Sequence, residues 1–285
     1  WFVRMKPLAE KALAASKEGK LECVSDQFRK VYEYWMSNPI DWNISRQIVW
    51  GIPIPAWFKN KNTPEEEFKI SKEKPDGEGW TQDSDTFDTW FSSGQWPVAT
   101  LGFTEGEDFK KFYPTQLMET GRDLIFKWVP RMVIFGLYLT GEVPFKDIYL
   151  HGMVLDPKGQ KMSKSKGNVI NPDDVIGEYG ADTLRLYEMS MADFADVAPW
   201  NTKAIVGSYR LLDKIYRLFT TDAQTTEYKS WTAKDDLGAI KIMHKTIKKV
   251  GEDIENMKFN TAIAAINIMV NEGIPADPER AHEWK

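Results

Sequence analysis

An apolar run at residues 148–155 that leads directly into a lysine-rich loop is the strongest constraint on the fold. The run contains one glycine and is typical of a buried strand interrupted at that point. Asp156–Gly159 predicts a turn, and Lys161–Asn168 then reads Lys-Met-Ser-Lys-Ser-Lys-Gly-Asn. Lysine is a flexible point charge that suits phosphate, and serine hydroxyls and loop N–H groups can donate to phosphate oxygens. The pattern indicates either a mobile polyanion-binding loop or a solvated basic loop.

Composition limits the class of protein. With 285 residues, 42% hydrophobic and 28% charged, the chain has the make-up of a globular protein of one or two domains. A net charge of -5 argues against indiscriminate nucleic-acid binding but allows a local basic surface. The single cysteine, Cys23, gives no disulfide framework and no cysteine zinc cluster. We expect a cytoplasmic location and no membrane partner, because the sequence shows neither a signal peptide nor a spanning apolar run.

A strand–turn–helix–strand pattern predicts a parallel sheet. It consists of a strand at 116–120, a glycine turn at Gly121–Asp123, an apolar helix at 124–140 and the strand at 148–155. Ligands bind at the carboxyl ends of such strands. We therefore expect Gly121–Asp123 and His151–Met153 to lie on one edge, facing the lysine loop. We expect Pro130 to kink the helix.

The rest of the chain predicts two domains with a boundary near residue 200. Before it we predict helices at 4–19 and 27–36, an edge or irregular segment at 48–55, a polar surface excursion at 59–79, and short helices from 171 and 180. After it, apolar periodicity predicts helices at 203–220, 237–257 and 259–272. The domains are thus 1–200 and 201–285, and the second is an all-helical bundle with one apolar face still lacking a partner.

Five motifs in this order resemble the class I aminoacyl-tRNA synthetases. They are Asp41–Gln47 (Asp-Trp-Asn-Ile-Ser-Arg-Gln), Asp88–Ser93 (Asp-Thr-Trp-Phe-Ser-Ser), Thr120–Asp123, His151–Gly152 and the lysine loop. Together they cover essentially the whole chain and are far more specific than the lysine loop alone. Within this class the chain resembles the valine, isoleucine and leucine group.

In the region that would hold the amino acid, this chain most resembles the valyl-specific members of the group. Residues 1–9, 88–97 and 123–128 carry that likeness, whereas residues 186–191, 199–202 and 259–264 are more similar to leucyl-specific members. We give more weight to the pocket region because it is nearest the side chain being selected. Leucyl and isoleucyl specificity remain alternatives.

The resemblance implies a fold and a reaction. The fold is α/β: the second half of a Rossmann-like parallel-sheet catalytic domain, followed by a helical bundle that is part of an anticodon-binding domain. The reaction is ATP-dependent activation of a small aliphatic amino acid, valine, and its transfer to tRNA. ATP enters with Mg²⁺, which keeps mostly water and phosphate ligands. We predict no metal site made by the protein, and we interpret Asp83, Asp85 and Asp88 as loop and turn residues.

The resemblance also implies roles for individual residues. Lys161 and Lys164 are the predicted catalytic residues, because they would neutralise charge that builds on pyrophosphate. The predicted ATP-binding residues are Gly121, Asp123, His151, Gly152, Met153, Met162, Ser163 and Ser165. The predicted amino-acid pocket is formed by Trp90, Leu124 and Trp128, and the predicted tRNA contacts are Arg46, Arg210, Lys214 and Arg217.

A second family signature, a closely spaced pair of histidines, is absent from the sequence. The three histidines, His151, His244 and His282, lie far apart. We therefore expect the missing N-terminal half of the enzyme to be a structural partner. We expect this chain alone to bind ATP weakly and to form no adenylate. The editing domain of such enzymes is also not in this sequence. A non-catalytic tRNA-binding module derived from such an enzyme remains an alternative, and the oligomeric state stays open.

Overall fold

The chain forms two compact units. A computed structural model describes residues 1–220 and 233–273. Its units are Trp1–Leu150 and His151–Lys285, so they divide well before the predicted boundary near residue 200. That boundary stays a prediction, and His282 lies outside the described residues.

The first unit contains short strands and six helices within its described residues. Its strands are β1 (Phe2–Val3), β2 (Glu22–Cys23), β3 (Trp42–Asn43), β4 (Ser45–Arg46), β5 (Ala56–Lys59), β6 (Glu67–Ile70), β7 (Thr81–Gln82), β8 (Thr86–Phe87), β9 (Thr115–Gly121) and β10 (Phe145–His151). Its helices are α1 (Lys6–Lys17), α2 (Asp26–Ser37), α3 (Thr89–Ser93), α4 (Trp96–Ala99), α5 (Glu107–Phe112) and α6 (Val129–Leu139).

Strand β10 is the centre of the main sheet. It lies between β2 and β9, and it runs parallel to β2 with Ile148 opposite Cys23. Ile148 and Leu150 are almost fully buried. A strand covered on both faces needs a nearly continuous apolar sequence, and this is the run seen at 148–155. The predicted interruption is also present, because β10 ends at His151 and the next strand begins after Gly152.

The apolar helix after the glycine turn is shorter than predicted. A 3₁₀ turn occupies Arg122–Leu124, and α6 begins only at Val129. Pro130 lies in the first turn of α6, so the prediction that it kinks the helix is wrong. The first N–H groups of a helix have no acceptor within the helix, and proline is therefore well suited to start one.

The polar stretch at 59–79 is more ordered than a plain surface excursion. Strand β6 pairs antiparallel with β5, and β7 pairs with the same strand. Phe58 lies opposite Phe68, and their rings are 6.3 Å apart. Every residue of β6 is exposed. The strand therefore lacks the alternation of apolar and polar residues that marks a half-buried strand.

The second unit combines one parallel strand pair with helices. Its elements are β11 (Val154–Leu155), α7 (Pro172–Tyr179), α8 (Ala181–Ser190), β12 (Ala198–Pro199), α9 (Ile205–Thr220), α10 (Ala233–Glu255) and α11 (Phe259–Ile268). Its described residues also form a 3₁₀ turn at Lys164–Lys166 and a π-helical segment at Met269–Gly273. The three helices predicted after residue 200 correspond to α9, α10 and α11.

A small core cluster holds α7, α8 and α9 together. Its buried members are Val175, Leu184, Tyr187, Trp200 and Ile205. Tyr187 and Trp200 meet edge to face at 5.1 Å, a favourable geometry for aromatic rings. The Tyr187 hydroxyl donates to the Asn201 carbonyl over 2.9 Å and accepts from the Asn201 N–H over 3.1 Å. This core cluster fixes the residues that follow β12.

Helix α10 has one buried stripe and one exposed apolar stripe. Ala239, Thr246 and Asp253 recur every seven residues and are buried. Leu237, Ile240, Ile247 and Ile254 are exposed. The predicted apolar face without a partner therefore remains uncovered by the residues that the structure describes.

Candidate adenylation and tRNA site

The lysine loop connects β11 to α7. Leu155 forms an isolated antiparallel bridge with Lys161, which returns the chain across the turn. Gly159 has a φ of 76°, in the left-handed region that glycine adopts without strain. Lys161 and Lys164 are exposed. Both predicted catalytic lysines are thus presented on a loop with a defined backbone.

Asp156 organises the start of this loop. Its side chain is buried, and its Oδ1 accepts from the backbone N–H groups of Lys158 (3.0 Å) and Gln160 (2.7 Å). Its Oδ2 accepts from the Nδ2 of Asn168 over 3.0 Å. These bonds lower the pKa of Asp156, with Asn168 the largest cause and Gln160 the next. The carboxylate is therefore held in its charged form.

Asn168 joins three parts of the loop through one side-chain amide. Besides its bond to Asp156, its Nδ2 donates to the carbonyl of Lys161 over 3.2 Å. Its Oδ1 accepts from the backbone N–H of Ser163 over 2.9 Å. We call Asp156 and Asn168 the loop clasp, because together they fix the backbone on both sides of Lys161.

The central part of the loop is a single 3₁₀ turn at Lys164–Lys166. It ends at Gly167, whose φ is 65° and whose N–H donates to the Lys164 carbonyl over 3.2 Å. The hydroxyls of Ser163 and Ser165 lie 3.2 Å apart. Two predicted phosphate donors are therefore close enough to reach the same anionic group.

Met162 attaches the lysine loop to the core cluster of the second unit. Its half-buried side chain packs against the core cluster formed by Val175, Leu184, Tyr187, Trp200 and Ile205. The resemblance to the synthetases predicts that this residue binds ATP. In the structure its side chain has a packing role, and its backbone lies between the two lysines.

Residues 151–153 form a tight corner. The Nδ1 of His151 lies 2.7 Å from the carbonyl oxygen of Gly152, so this nitrogen carries the proton. The N–H of Gly152 donates to the Phe194 carbonyl over 2.7 Å. A Cβ on Gly152 would lie 1.6 Å from the Asp196 carbonyl oxygen. Glycine is therefore required here for a close backbone approach, in addition to any contact with a nucleotide. Met153, which follows, is half-buried.

The predicted nucleotide turn lies at the end of β9. Gly121 is the last residue of that strand, and Asp123 lies in the 3₁₀ turn that follows. Both residues are half-buried. The guanidinium of Arg122 lies 5.6 Å from the centre of the Phe28 ring, which supports the turn. This turn belongs to the first unit and the lysine loop to the second, so their union in one site stays a prediction.

The predicted amino-acid pocket consists of half-buried apolar side chains in the first unit. These are Trp90, Leu124 and Trp128. The Nε1 of Trp128 donates to the Ser93 carbonyl over 2.9 Å, which ties the start of α6 to the end of α3. The rings of Trp96 and Trp128 are 6.1 Å apart. Trp96 and Trp128 thus form a partly exposed aromatic pair.

Arg46, a predicted tRNA contact, is bound to a buried carboxylate. Its Nη2 lies 2.5 Å from the Oδ2 of Asp88. The same oxygen accepts from the Nε1 of Trp42 over 3.0 Å, and Oδ1 accepts from the N–H of Trp90 over 2.9 Å. The guanidinium therefore has a structural task, and contact with tRNA stays a prediction for its exposed part.

The other predicted tRNA contacts are exposed on α9. Arg210, Lys214 and Arg217 follow a spacing of four and three residues, which places them on one side of the helix. Lys214 donates to the Oδ1 of Asn271 over 2.8 Å, and Arg217 pairs with Asp213 over 3.0 Å. The side is basic, although Lys214 also bonds a residue of the π-helical segment and Arg217 pairs with an aspartate within α9.

Metal-binding clusters and membrane-spanning helices are both absent from the described ranges 1–220 and 233–273. Within them, no group of three or more His, Cys, Asp or Glu side chains is arranged to hold a metal ion. Over the same ranges, every helix is too short or too polar to span a bilayer.

The family of the chain follows from its similarity to known proteins. A family model described as tRNA synthetases class I (I, L, M and V) matches residues 1–198. The chain therefore belongs to this class I tRNA synthetase family. Its curated relatives include proteins named valine–tRNA ligase.

Three of these relatives show the extent of the likeness. The protein from Bacillus licheniformis is 44% identical over 80% of this chain and 26% of its own length. The protein from Bacillus subtilis is 41% identical over 90% of this chain and 29% of its own length. The protein from Lactobacillus acidophilus is 51% identical over 66% of this chain and 21% of its own length. The chain thus spans about a quarter of the length of the curated relatives that it matches.

Solved structures support the fold. A leucyl enzyme from Agrobacterium radiobacter, in a complex with tRNA and LeuAMS, matches with a TM-score of 0.67 and 24% identity, covering 81% of this chain and 35% of that chain. The methionyl-tRNA synthetase of Mycobacterium tuberculosis, bound to methionyl-adenylate, matches with a TM-score of 0.68 and 18% identity, covering 95% and 51%. The predicted α/β class with a Rossmann-like parallel sheet is confirmed.

The loop clasp is the part of the candidate site that sequence reasoning missed. Asp156 lies in an Asp-Pro-Lys-Gly turn and Asn168 follows a glycine, so both have the signature of ordinary turn residues. The only available signal was their position on either side of the lysine-rich segment.

Proposed function

We propose that this chain is the lysine-loop part of a class I valine–tRNA ligase. The complete enzyme would activate valine with ATP and transfer it to tRNA. The observation that carries the proposal is the presentation of Lys161 and Lys164 on a loop whose backbone is fixed by Asp156 and Asn168. The valine–tRNA ligases among the relatives support the choice of amino acid.

In the proposed first step, the valine carboxylate attacks the α-phosphorus of ATP. The bond from that phosphorus to the bridging oxygen breaks, and pyrophosphate leaves with the bonding electrons. Lys161 and Lys164 would stabilise the charge that grows on the leaving group. If the loop closes on ATP as this charge grows, the contact would act mainly in the transition state. Mg²⁺ would enter with ATP as part of the substrate.

We propose that the remaining nucleotide contacts come from the tight corner at residues 151–153 and from the turn at Gly121–Asp123. Gly121 would allow the backbone to approach the nucleotide, and Asp123 would accept from the ribose hydroxyls. His151, Gly152 and Met153 would line the adenine site. The hydroxyls of Ser163 and Ser165, 3.2 Å apart, would donate to one phosphate. The backbone of Met162 would approach the same group.

In the proposed second step, a ribose hydroxyl of the terminal adenosine of tRNA attacks the carbonyl carbon of the adenylate and forms an ester bond. The bond from that carbon to the phosphate oxygen breaks, AMP leaves with the bonding electrons, and the hydroxyl gives up its proton. Arg210, Lys214 and Arg217 would contact the tRNA backbone from α9, and Arg46 would do so from the first unit. Such contacts release counterions, so tRNA affinity should fall as salt rises. We also propose a cytoplasmic location, the compartment that a single cysteine fits.

The proposal is tested by valine-dependent exchange of pyrophosphate into ATP, measured on the full-length protein that contains this chain. We expect Lys164→Ala to lower kcat about a hundredfold, because a lost charge contact to the transition state costs about 3 kcal/mol. Lys158→Ala is the matched control, since this lysine is exposed in the preceding turn. Absence of valine-dependent exchange in the full-length protein would contradict the proposal. Exchange that depends on leucine or isoleucine would correct the amino acid only.

A non-catalytic tRNA-binding module derived from such an enzyme is the second candidate. We also propose that this chain alone binds ATP weakly and forms no adenylate, because its three histidines lie far apart in sequence. Robust exchange by the isolated chain would overturn that part of the proposal. Tight tRNA binding by a full-length protein that is inert in exchange would favour the module.

A further inference from the structure

We infer that Asn168 is a positioning residue that sets the conformation of the lysine loop before any ligand binds. Its amide makes three hydrogen bonds, to the Asp156 carboxylate, the Lys161 carbonyl and the Ser163 N–H. The bonds lie on both sides of Lys161 and reach the residue that precedes Lys164. The consequence for catalysis rests on the proposed function, whereas the clasp itself does not.

The chemistry of the three partners requires an amide at this position. Asp156 and the Lys161 carbonyl are acceptors, whereas the Ser163 N–H is a donor. An asparagine side chain offers donors on one end and an acceptor on the other, which matches this arrangement. A flipped amide would place oxygen against the carboxylate and nitrogen against an N–H. The orientation of Asn168 is therefore fixed by its partners.

The carboxylate side of the clasp is equally specific. Asp156 is buried and accepts from two backbone N–H groups as well as from Asn168. Burying a charge is costly unless donors compensate it. The two N–H groups, from Lys158 and Gln160, orient the carboxylate within its turn. Its second oxygen is thereby directed at Asn168, which closes the loop.

The closed loop carries its lysines in a limited set of positions. Closing it during folding removes backbone freedom that would otherwise be lost when a phosphate binds. Lys161 is held through its own carbonyl, and the turn that contains Lys164 starts directly after Ser163. Rate enhancement by oriented groups depends on such placement. The clasp would therefore raise the rate of the chemical step without touching ATP.

The clasp is tested first by backbone hydrogen exchange in the full-length protein that contains this chain, without nucleotide. We expect Asn168→Ala to speed exchange of the Ser163 amide at least about tenfold, because that N–H loses its acceptor. Asn171 provides a matched control. It caps α7 by accepting from the Asp173 N–H, and aspartate caps helices as well as asparagine does. Asn171→Asp should leave exchange at Ser163 unchanged.

Asn168→Asp separates positioning from simple loss of packing. Two carboxylates would then face each other across the 3.0 Å of the present bond, and repulsion would open the loop at neutral pH. As pH falls, the pair takes up one shared proton, and an O–H can again donate to the opposite carboxylate. We expect protection of Ser163, corrected for intrinsic exchange, to recover in this variant between about pH 7 and 5. The Asn168→Ala variant should show no such recovery.

Exchanging the carboxylate and the amide of the clasp tests whether the lost protection of Ser163 can be restored. In the double variant Asp156→Asn with Asn168→Asp, an amide and a carboxylate again face each other with their positions reversed. We expect it to restore at least half of the Ser163 protection that Asn168→Asp loses. Failure of both the acid recovery and the rescue, or unchanged exchange in Asn168→Ala, would overturn the clasp.

The functional arm uses pyrophosphate exchange by the full-length protein. We expect Asn168→Ala to lower kcat about tenfold with little change in KM for the amino acid, and Asn171→Asp to leave both unchanged. An opened loop with unaltered kcat would overturn the positioning role but not the clasp. A full-length wild type without exchange would instead contradict the proposed function, and the hydrogen-exchange result would still decide the clasp.

Discussion

The Nη2 of Arg46 lies 2.5 Å from the Oδ2 of Asp88, and this ion pair completes a network around a buried carboxylate. Trp42 and the backbone of Trp90 supply the other donors. The network joins the strand that carries Arg46 to the helix that carries Trp90. It therefore sets the position of a predicted pocket residue from more than forty residues away in sequence.

Replacing Asp88 by asparagine tests this network. The new side-chain amide would present an NH₂ group to donors that need an acceptor, so we expect Asp88→Asn to lower the free energy of unfolding by about 1–3 kcal/mol. Urea denaturation followed by tryptophan fluorescence measures the change. Asp85→Asn is the control, because Asp85 accepts from Gln47 at an exposed site and should change stability by no more than about 0.5 kcal/mol. Equal effects of the two variants would contradict a special role for Asp88.

The corner at Gly152 gives a second stability prediction. A Cβ there would lie 1.6 Å from the Asp196 carbonyl oxygen, so the backbone must shift to accept it. We expect Gly152→Ala to destabilise the second unit by about 1–3 kcal/mol. Gly177→Ala is the matched comparison, since nothing lies within 4 Å of its added methyl group in α7. Gly177→Ala should raise the free energy of unfolding by about 0.5–1 kcal/mol. Thermal unfolding should therefore show a lower Tm for Gly152→Ala and a higher Tm for Gly177→Ala.

Cys23 provides a chemical probe of the sheet in the first unit. Burial, followed by the charge of Glu33, raises the pKa of its thiol to about 12. Only the thiolate reacts rapidly with alkylating reagents, so we expect iodoacetamide at pH 8 to modify the folded chain at least about tenfold more slowly than the unfolded chain. Mass spectrometry at timed intervals measures both rates. Equal rates would mean that β2 is open in solution.

Acid should weaken the contact between α10 and α11. Lys249 bonds both oxygens of Asp253 at 2.5 and 2.6 Å, and Thr261 donates to the same carboxylate. These bonds lower the pKa of Asp253 below its ordinary value, with Lys249 the largest cause. A lowered pKa adds stability above the unfolded pKa, and this stability is lost as pH falls through the folded value. We expect Asp253→Asn to lower Tm at pH 7, and to have little effect at about pH 2.

Contiguous or periodic sequence features predicted the parts of the fold that were recognised. The apolar run at 148–155 became a buried central strand because burial on both faces needs such a run. Apolar residues spaced by three and four predicted α9 and α10, although residues that carry this spacing in α10, such as Ile240 and Ile247, are exposed. The lysine loop was recognised from its local composition, since its charges are adjacent in sequence. These features are local, so sequence alone could identify them.

Features that depend on distant partners could not be predicted in this way. Asp88 and Arg46 are separated by many residues, and nothing in either neighbourhood indicates the other. Pro130 can kink or start a helix, and only the position of the 3₁₀ turn before α6 decides between these outcomes. Strand β6 is exposed along its whole length, so its pairing with β5 is accompanied by no alternation of buried and exposed residues. The clasp residues carry the signature of turns, and their mutual contact depends on tertiary geometry.

The parallel pairing of β11 with β12 has a consequence for how the second unit opens. Val154 lies opposite Ala198, so the lysine loop, α7 and α8 occupy one closed stretch of chain between the paired strands. Met162 and α7 share the same core cluster, which links the loop to the helices inside that stretch. Local unfolding proceeds in contiguous cooperative units of this kind. The lysines would therefore lose their fixed positions whenever α7 or α8 melts, and the fraction of molecules ready to bind phosphate would follow the melting equilibrium of these two helices.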